Sequence, residues 1–367
     1  MKSGFTGLVG VLAVFAIGIS GCERAQEAPA PSAPVPGPVA VNAAPSGADQ
    51  ARAVAQPPMN KPFPGKGHPP FLNPTPEPPV PEPTAPLSTT PEFPLPGGDM
   101  DSPIRITHTD SGWLLATDSR RGVLLRVNPA TLLADQALNV KAKPLAVGML
   151  NTEIYVGIED QAAVKVYSSA GDPLGYLATP GSVGHPGDLA VERTLGQVFV
   201  LDGLARDVKI YDAAARVLVS TLGQGQLLTP SGIALDEARQ EVLISDYGEV
   251  GQPAAVRIFS YAIADFGALK ATLSGAGICN YMGCRDGFSR PRGLAVHNGR
   301  IYIPDVMYRQ VLVFDRATLT KLTQLGSGDP ALSDLRMPSD VTITPQGDVF
   351  VTNPQTHSVA MFPGGAL

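Results

Sequence analysis

The stretch Pro186-Gly187-Asp188-Leu189-Ala190-Val191 decides the fold, because variants of it recur along the chain. Each copy is a proline followed by alternating apolar residues, a pattern that predicts a half-buried β-strand. The copies begin at Pro103, Pro144, Pro186, Pro230, Pro291 and Pro338, with successive spacings of 41, 42, 44, 61 and 47 residues. Six units therefore cover residues 103–367.

Each unit carries two further predicted strands in the same phase. The second strand is an apolar run that ends in Asp in four of the six units. These runs are residues 114–118, 154–158, 198–202, 242–246, 301–305 and 349–353. A third strand follows, such as Val208 to Tyr211, and most units close with a Gly-containing stretch that predicts a weaker fourth strand.

Four short antiparallel strands repeated every ~40–45 residues are typical of a β-propeller blade. One such sheet leaves both faces uncovered, whereas six sheets stacked around an axis bury a common core. We therefore predict an all-β fold, a six-bladed β-propeller spanning residues 99–367. The recurring Pro-x-Gly-Ile/Leu-Ala-Val pattern, with its apolar strand ending in Asp, resembles the NHL repeat. It is also similar to the broader six-bladed family that includes gluconolactonases and streptogramin lyases.

Closure of the predicted ring depends on the last unit. The chain ends at Leu367, soon after the third strand of that unit. The outer strand of the last blade is therefore either missing or supplied by residues around Phe93 to Met100. Prolines in that stretch are compatible only with an edge strand.

The repeated aspartates allow two interpretations. Asp118, Asp202, Asp246 and Asp305 end their strands in register, with Asn353 and Ile158 at the same position in the other two units. A ring of carboxylates would suit a metal ion. An Asp repeated at strand ends is also a turn former whose carboxylate accepts backbone N–H groups, and we favour this scaffold role.

The N-terminus predicts export and lipid attachment. Residues 1–21 comprise a short basic start and an uncharged apolar run, which is the layout of a secretory signal peptide. Its end, Ile19-Ser20-Gly21-Cys22, resembles the bacterial lipobox, and this resemblance implies cleavage before Cys22 and acylation of that residue. An ordinary signal or a short membrane anchor is the alternative. Glu23, where inner-membrane lipoproteins carry Asp, favours the outer membrane, with the domain either periplasmic or surface-exposed.

Residues 22–98 predict a tether without regular structure. The segment from Gln26 to Gly98 holds 22 prolines in 73 residues, which excludes helices and central strands. Such a chain samples polyproline II at roughly 3.1 Å per residue and acts as a semi-rigid spacer.

Composition excludes several classes of protein. The net charge is −6, which argues against nucleic acid as a partner. No Gly-X-Y period is present, charged residues make up only 16% of the chain, and the one long apolar stretch lies at the start. Collagen, a long coiled coil and a polytopic membrane protein are thereby excluded.

Cys279 and Cys284 lie in the longest insertion of the repeat array. Two cysteines separated by four intervening residues in an exported protein predict a disulfide. The alternatives fit less well, because the chain has no Cys-x-x-Cys-His for haem attachment, no nearby histidines for zinc and no Cys-x-x-Cys for redox catalysis.

The candidate binding residues lie in loops that share one face in known propellers. These loops precede the first strand of a blade or join its second strand to its third. The candidates are His185, Tyr247, Arg290, Arg292, Tyr308, Arg309 and His357. Arg, Tyr and His are frequent in recognition surfaces, although an ordinary solvated rim has the same composition.

An enzyme is the alternative function. The resemblance implies a divalent metal held by acidic and amide groups, or by histidines, near the channel. His68 is in the tether, and His108 and His297 are predicted on the opposite face. The histidines that remain as candidate metal ligands are His185 and His357, together with nearby carboxylates. Neither a Gly-x-Ser-x-Gly elbow nor a Gly-rich phosphate loop occurs. The sequence thus favours a lipid-anchored envelope propeller that binds or scaffolds another envelope or extracellular protein, with no cofactor or metal. A metal-assisted lyase or lactonase is the second hypothesis.

Overall fold

The computed structural model describes residues 99–276, 287–326 and 335–364, together with the backbone of residues 95–96, 279–280 and 283–284. The described part is an all-β, six-bladed β-propeller, which confirms the predicted fold class. The predictions for the signal peptide, Cys22 and the tether up to residue 94 lie outside the described residues.

The first three blades each contain four consecutive antiparallel strands. A two-residue strand, β1 (Leu95–Pro96), adds to the outer edge of blade 1. Blade 1 consists of β2 (Pro103–His108), β3 (Leu114–Asp118), β4 (Val123–Val127) and β5 (Ala134–Asn139). Blade 2 consists of β6 (Pro144–Leu150), β7 (Glu153–Ile158), β8 (Ala163–Ser168) and β9 (Pro173–Ala178). Blade 3 consists of β10 (Pro186–Glu192), β11 (Gln197–Asp202), β12 (Asp207–Asp212) and β13 (Val217–Leu222).

The last three blades are less regular. Blade 4 consists of β14 (Pro230–Asp236), β15 (Glu241–Asp246), β16 (Ala255–Ser260) and β17 (Leu269–Ser274). A two-stranded hairpin, β18 (Cys279–Asn280) and β19 (Gly283–Cys284), follows it. Blade 5 consists of β20 (Ala295–His297), β21 (Arg300–Asp305), β22 (Gln310–Asp315) and β23 (Lys321–Leu325), and blade 6 of β24 (Asp340–Ile343), β25 (Val349–Asn353) and β26 (Ser358–Phe362). Three short 3₁₀ helices span Glu237–Arg239, Ile263–Asp265 and Pro354–Thr356. No helix in the described ranges is long and apolar enough to cross a bilayer.

The second strand of each blade is buried on both faces, which explains its continuous apolar sequence. In β11, Val198 to Leu201 are all fully buried. The outer strands meet solvent instead, and Leu218 in β13 is 51% exposed. The sequence pattern therefore places each strand at its radial depth in the blade.

Six apolar clusters hold the blades together, one at each junction between neighbours. One cluster joins Tyr155 of blade 2 to Val200 of blade 3. The junction of blades 6 and 1 contains Phe350 and Val359 packed with Leu125 and Met100. Since every blade is joined to both neighbours, the ring is closed by side-chain packing.

Of the two alternatives for the outer strand of the last blade, its supply by residues around Phe93 to Met100 is wrong. β1 pairs with β5 of blade 1, with Leu95 opposite Ala137. Within the described residues, blade 6 has three strands, and β26 pairs with β25. Pro96 lacks an N–H donor and is tolerated because β1 is an edge strand. Met100 still contributes to closure, because its buried side chain belongs to the cluster between blades 6 and 1.

Candidate functional site

The repeated aspartates join the two kinds of loop at one end of the propeller axis. Asp202 ends β11, and its Oδ2 and Oδ1 accept the backbone N–H groups of Gly184 (2.8 Å) and His185 (3.0 Å) in the loop before β10. The same carboxylate accepts Ala205 N–H (3.0 Å) in the following turn. Burial acts to raise its pKa, but the Lys209 ammonium and these N–H donors lower it to about 2.

The other aspartates make equivalent contacts, which confirms the scaffold interpretation. Their carboxylates accept backbone N–H groups on both sides: Asp118 from Ser102 and Arg121, Asp246 from Thr229 and Gly248, and Asp305 from Ser289 and Met307. Asn353 accepts Met337 N–H in blade 6 (2.8 Å). In blade 2, where Ile158 replaces the aspartate, Asp160 accepts Lys143 N–H (3.1 Å). The loops before the first strands and after the second strands therefore share one end of the propeller, here called the loop face.

A cavity of about 470 Å³, here called the upper cavity, opens on the loop face. Three predicted binding residues line it: His185, Tyr247 and Arg292. Its size falls within the range of ligand sites, roughly 300–1,000 Å³. The structure thus brings three of the seven candidates to one concave site.

The polar residues that line this cavity lie next to the strands. Residues directly after the second strand, such as Glu159 and Tyr247, line it, as do residues adjacent to the first-strand proline, such as Lys143 and Arg292. The ring of His185 fits in the cavity because Gly203 has no side chain. A Cβ on Gly203 would lie 2.9 Å from Cδ2 of His185.

The other four candidates do not line the upper cavity. Arg290 is exposed, and the backbone N–H groups of Arg290 and Tyr308 bond to Asp305. Arg309 and His357 end their turns in the left-handed backbone conformation, with φ of 56° and 54°. His357 Nδ1 contacts the Asp101 carbonyl oxygen, between blades 6 and 1. These residues belong to the rim of the loop face.

Arg105 is the central residue that the sequence analysis missed. Its guanidinium lies beneath the upper cavity and forms ion pairs with Asp188 (3.3 Å) and Asp340 (3.6 Å). Arg105 Nε donates to Gly187 O (3.1 Å), and Nη2 donates to Ser231 O. These three charged residues, here called the axial cluster, connect blades 1, 3, 4 and 6 across the channel.

The axial cluster contains one cation and two anions in a buried setting. Burial raises the pKa of Asp340 to about 7, against the opposing effect of Arg105. Burial likewise raises the pKa of Asp188. Both carboxylates also accept backbone N–H groups of the next blade, Ile233 (3.0 Å) for Asp188 and Ile106 (2.9 Å) for Asp340.

One sequence signal could have found this cluster. All three members of the axial cluster occupy the same position of the repeat, two residues after the first-strand proline. In the six units this position holds Arg105, Ala146, Asp188, Gly232, Gly293 and Asp340. A Cβ on Gly293 would lie 1.9 Å from Asp340 Oδ1, so glycine there makes room for the carboxylate.

A second cavity, of about 220 Å³, lies on the other side of the axial cluster. Asp188, Asp340 and His108 line it, which agrees with the prediction that His108 faces away from the loop face. His108 Nδ1 lies 3.1 Å from Thr342 Oγ1, and burial lowers the pKa of His108. The axial cluster therefore separates two openings of the channel.

The histidines in the described ranges do not assemble into a metal site. His185 lines the upper cavity, whereas His357 lies at the junction of blades 6 and 1. Among the described residues, no three or more His, Cys, Asp or Glu side chains are grouped so that they could hold a metal ion. The two axial carboxylates are already paired with Arg105.

Three solved structures of low sequence identity share the propeller fold. One is hydrazine synthase of Kuenenia stuttgartiensis, with 12% identity, a TM-score of 0.54, and coverage of 73% of this chain and 97% of that one. The gluconolactonase XC5397 of Xanthomonas campestris has 16% identity, a TM-score of 0.55, and coverage of 73% and 87%. A chain of a nidogen/laminin complex has 15% identity, a TM-score of 0.50, and coverage of 61% and 80%. No protein-family model and no curated protein sequence matches the chain. The fold and these similarities define the class of the protein as a six-bladed β-propeller.

Proposed function

We propose that this chain is a lipid-anchored protein of the bacterial outer membrane whose propeller, of the NHL-repeat type, binds another envelope or extracellular protein through its loop face. The observation that carries the proposal is the combination of an axial cluster that fills the channel and a concave loop face above it. Such an arrangement offers a surface for recognition.

The axial cluster argues against the metal-assisted lyase or lactonase. A divalent cation on the axis would need carboxylate ligands, and Asp188 and Asp340 are engaged by Arg105 and by backbone N–H groups. Binding a metal there would displace a guanidinium that is itself bonded to two backbone carbonyls. His185 and His357, the other expected ligands, lie in different parts of the loop face.

The proline-rich sequence supports a binding role. A lipid at Cys22 and a spacer over residues 22–98 would hold the propeller near a surface yet at a distance from it. Such tethering raises the effective concentration of a partner on the same or a facing surface. A diffusible substrate would gain little from it.

Photocrosslinking in native membranes tests the loop face directly. The full chain carries benzoylphenylalanine in place of Tyr247, on the loop face, or in place of Leu218, on the outer strand of blade 3 as the matched control. We expect a discrete adduct at position 247 that is absent at position 218. Absence of an adduct at 247, or equal adducts at both positions, would contradict the proposal.

Lipid attachment has its own test. We expect the full chain to incorporate radioactive palmitate and to sediment with membranes. Cys22→Ser should abolish the label and release the protein. A Cys22→Ser chain that stays labelled would overturn the lipoprotein assignment.

We also propose the disulfide between Cys279 and Cys284. Their backbones are direct partners across the β18–β19 hairpin, a separation that a disulfide spans. Alkylation of the exported protein without reduction should leave both thiols unmodified by mass spectrometry. Two alkylated cysteines would disprove the bond.

A further inference from the structure

Two polar side chains in the upper cavity have no bonding partner among the described residues. The Arg292 guanidinium and the Tyr247 hydroxyl line the cavity, and both side chains are half-buried. The backbone of Arg292 is engaged, because its N–H donates to Pro304 O (3.1 Å) and its carbonyl accepts Ser245 Oγ–H (2.8 Å). The backbone is thus fixed while the guanidinium faces an open space.

The remaining charges of the cavity are paired. Lys143 forms an ion pair with Glu159, and His185 Nδ1 lies 3.9 Å from Glu159 Oε1. Arg105 forms ion pairs with both aspartates of the axial cluster beneath it. Among the described residues that line the upper cavity, Arg292 is therefore the Arg or Lys whose side chain forms no ion pair.

We propose that the upper cavity binds a carboxylate group, presented as an acidic side chain of the partner protein. A carboxylate accepts two parallel hydrogen bonds from one guanidinium, an arrangement that is charge-assisted and directional. The Tyr247 hydroxyl supplies a further donor at the same site. This inference rests on the proposed function, because it names the chemistry by which the loop face recognises its partner.

The walls of the cavity favour an anion of limited size. Leu145 and Ile104 supply apolar surface, and Gly187 and Gly203 leave room beside the His185 ring. A Glu or Asp side chain fits a volume of about 470 Å³ together with some of its own backbone. A long polyanion does not suit it, since the rest of the cavity carries no unpaired positive charge among the described residues.

Ligand-observed saturation-transfer NMR on the full chain tests the proposal. The probes are the capped peptide acetyl-Gly-Glu-Gly-amide, its Gln counterpart, and free glutarate. We expect the Glu peptide to bind and the Gln peptide to bind at least about tenfold more weakly, as loss of a charge-assisted pair implies. Arg292→Gln should weaken binding of the Glu peptide by a similar factor. Arg292→Lys should weaken it by less, and Tyr247→Phe should weaken it severalfold.

Arg309→Gln is the matched control. It removes the same charge from the same face, but Arg309 is exposed and outside the upper cavity. We expect the affinity of the Arg309→Gln variant for the Glu peptide to stay within about twofold of that of the unmodified chain. Circular dichroism and the melting temperature establish that each variant is folded.

The outcomes separate this inference from the proposed function. Equal binding of the Glu and Gln peptides, or unchanged binding by Arg292→Gln, would overturn the carboxylate site even if crosslinking at position 247 captures a partner. Glutarate bound through Arg292 without peptide binding would overturn the polypeptide source of the carboxylate. Failure of crosslinking alone would remove the proposed function and leave the ligand chemistry supported.

Discussion

Replacing Arg105 with Met should destabilise the propeller more than any change on its surface. Arg105 is 4% exposed and pairs with two buried carboxylates, and its guanidinium donates to carbonyls of blades 3 and 4. Met fills a similar volume but leaves Asp188 and Asp340 facing each other without a cation. Removing one partner of a buried ion pair costs about 3–5 kcal/mol.

That loss is large relative to the total stability of a domain, about 5–15 kcal/mol. For a domain larger than 150 residues, each kcal/mol lowers the melting temperature by about 2–4 °C. We therefore expect Arg105→Met to melt about 10 °C below the unmodified chain. Differential scanning calorimetry and urea unfolding at pH 8, above the raised pKa of Asp340 of about 7, measure the change.

A triple variant separates the charge effect from simple loss of packing. Arg105→Met combined with Asp188→Asn and Asp340→Asn removes all three charges, while the amide oxygens still accept the backbone N–H groups. We expect it to recover much of the lost stability. A loss below about 1 kcal/mol in Arg105→Met, or no recovery in the triple variant, would refute the reasoning.

Three further predictions concern the same axis and the loop contacts. Burial raises the pKa of Asp340 to about 7, so between about pH 4 and pH 7 the folded protein holds a proton that the unfolded chain releases. The stability of the unmodified chain relative to Asp340→Asn, measured by urea unfolding, should therefore be greatest below about pH 4 and should lose this contribution by pH 8. The same relative stability at pH 5 and pH 8 would disprove this. Gly293→Ala should lower the free energy of unfolding by about 1–3 kcal/mol, because the new Cβ would lie 1.9 Å from Asp340 Oδ1. An unchanged midpoint of urea unfolding would contradict this prediction. Asp202→Ala should lower the free energy of unfolding by about 3 kcal/mol, because it removes the acceptor for several backbone N–H groups. The conservative Asp202→Asn should lower it by less. Equal losses in the two variants would argue against the hydrogen-bond account.

The repeat could be predicted because burial imposes it on every blade. A second strand packed on both faces must be apolar throughout, so runs such as Val198 to Leu201 recur in register. The aspartate at the end of that strand recurs because the same pair of loops must be joined in most blades.

The sequence did not predict which blade the N-terminal strand joins. The stretch just before Pro103 has few apolar side chains and several prolines, so it shows no alternating pattern that would select one edge strand as its partner. β1 joins blade 1 through only two residue pairs, with β5 as its partner. Which edge receives so short a strand depends on where the chain approaches the ring, and this is a tertiary property.

The candidate site was predicted in part. His185, Tyr247 and Arg292 meet at one cavity because they occupy positions adjacent to the strands. Arg309 and His357 have the same residue chemistry but end their turns, so they lie on the rim. Residue type alone does not distinguish these positions. Position relative to the strand accounts for Arg309 and His357 but not for Arg290, which directly precedes Pro291 and still lies outside the cavity.

Native mass spectrometry of the full chain, extracted from its own membranes in mild detergent, tests the central claim most directly. The account predicts a stoichiometric complex with another protein that is lost when Tyr247→Ala and Arg292→Ala are combined, and retained when the exposed Leu218 of the outer strand is changed to Ala. A propeller that leaves the membrane without a protein partner, or a complex that survives the loop-face changes, would contradict it.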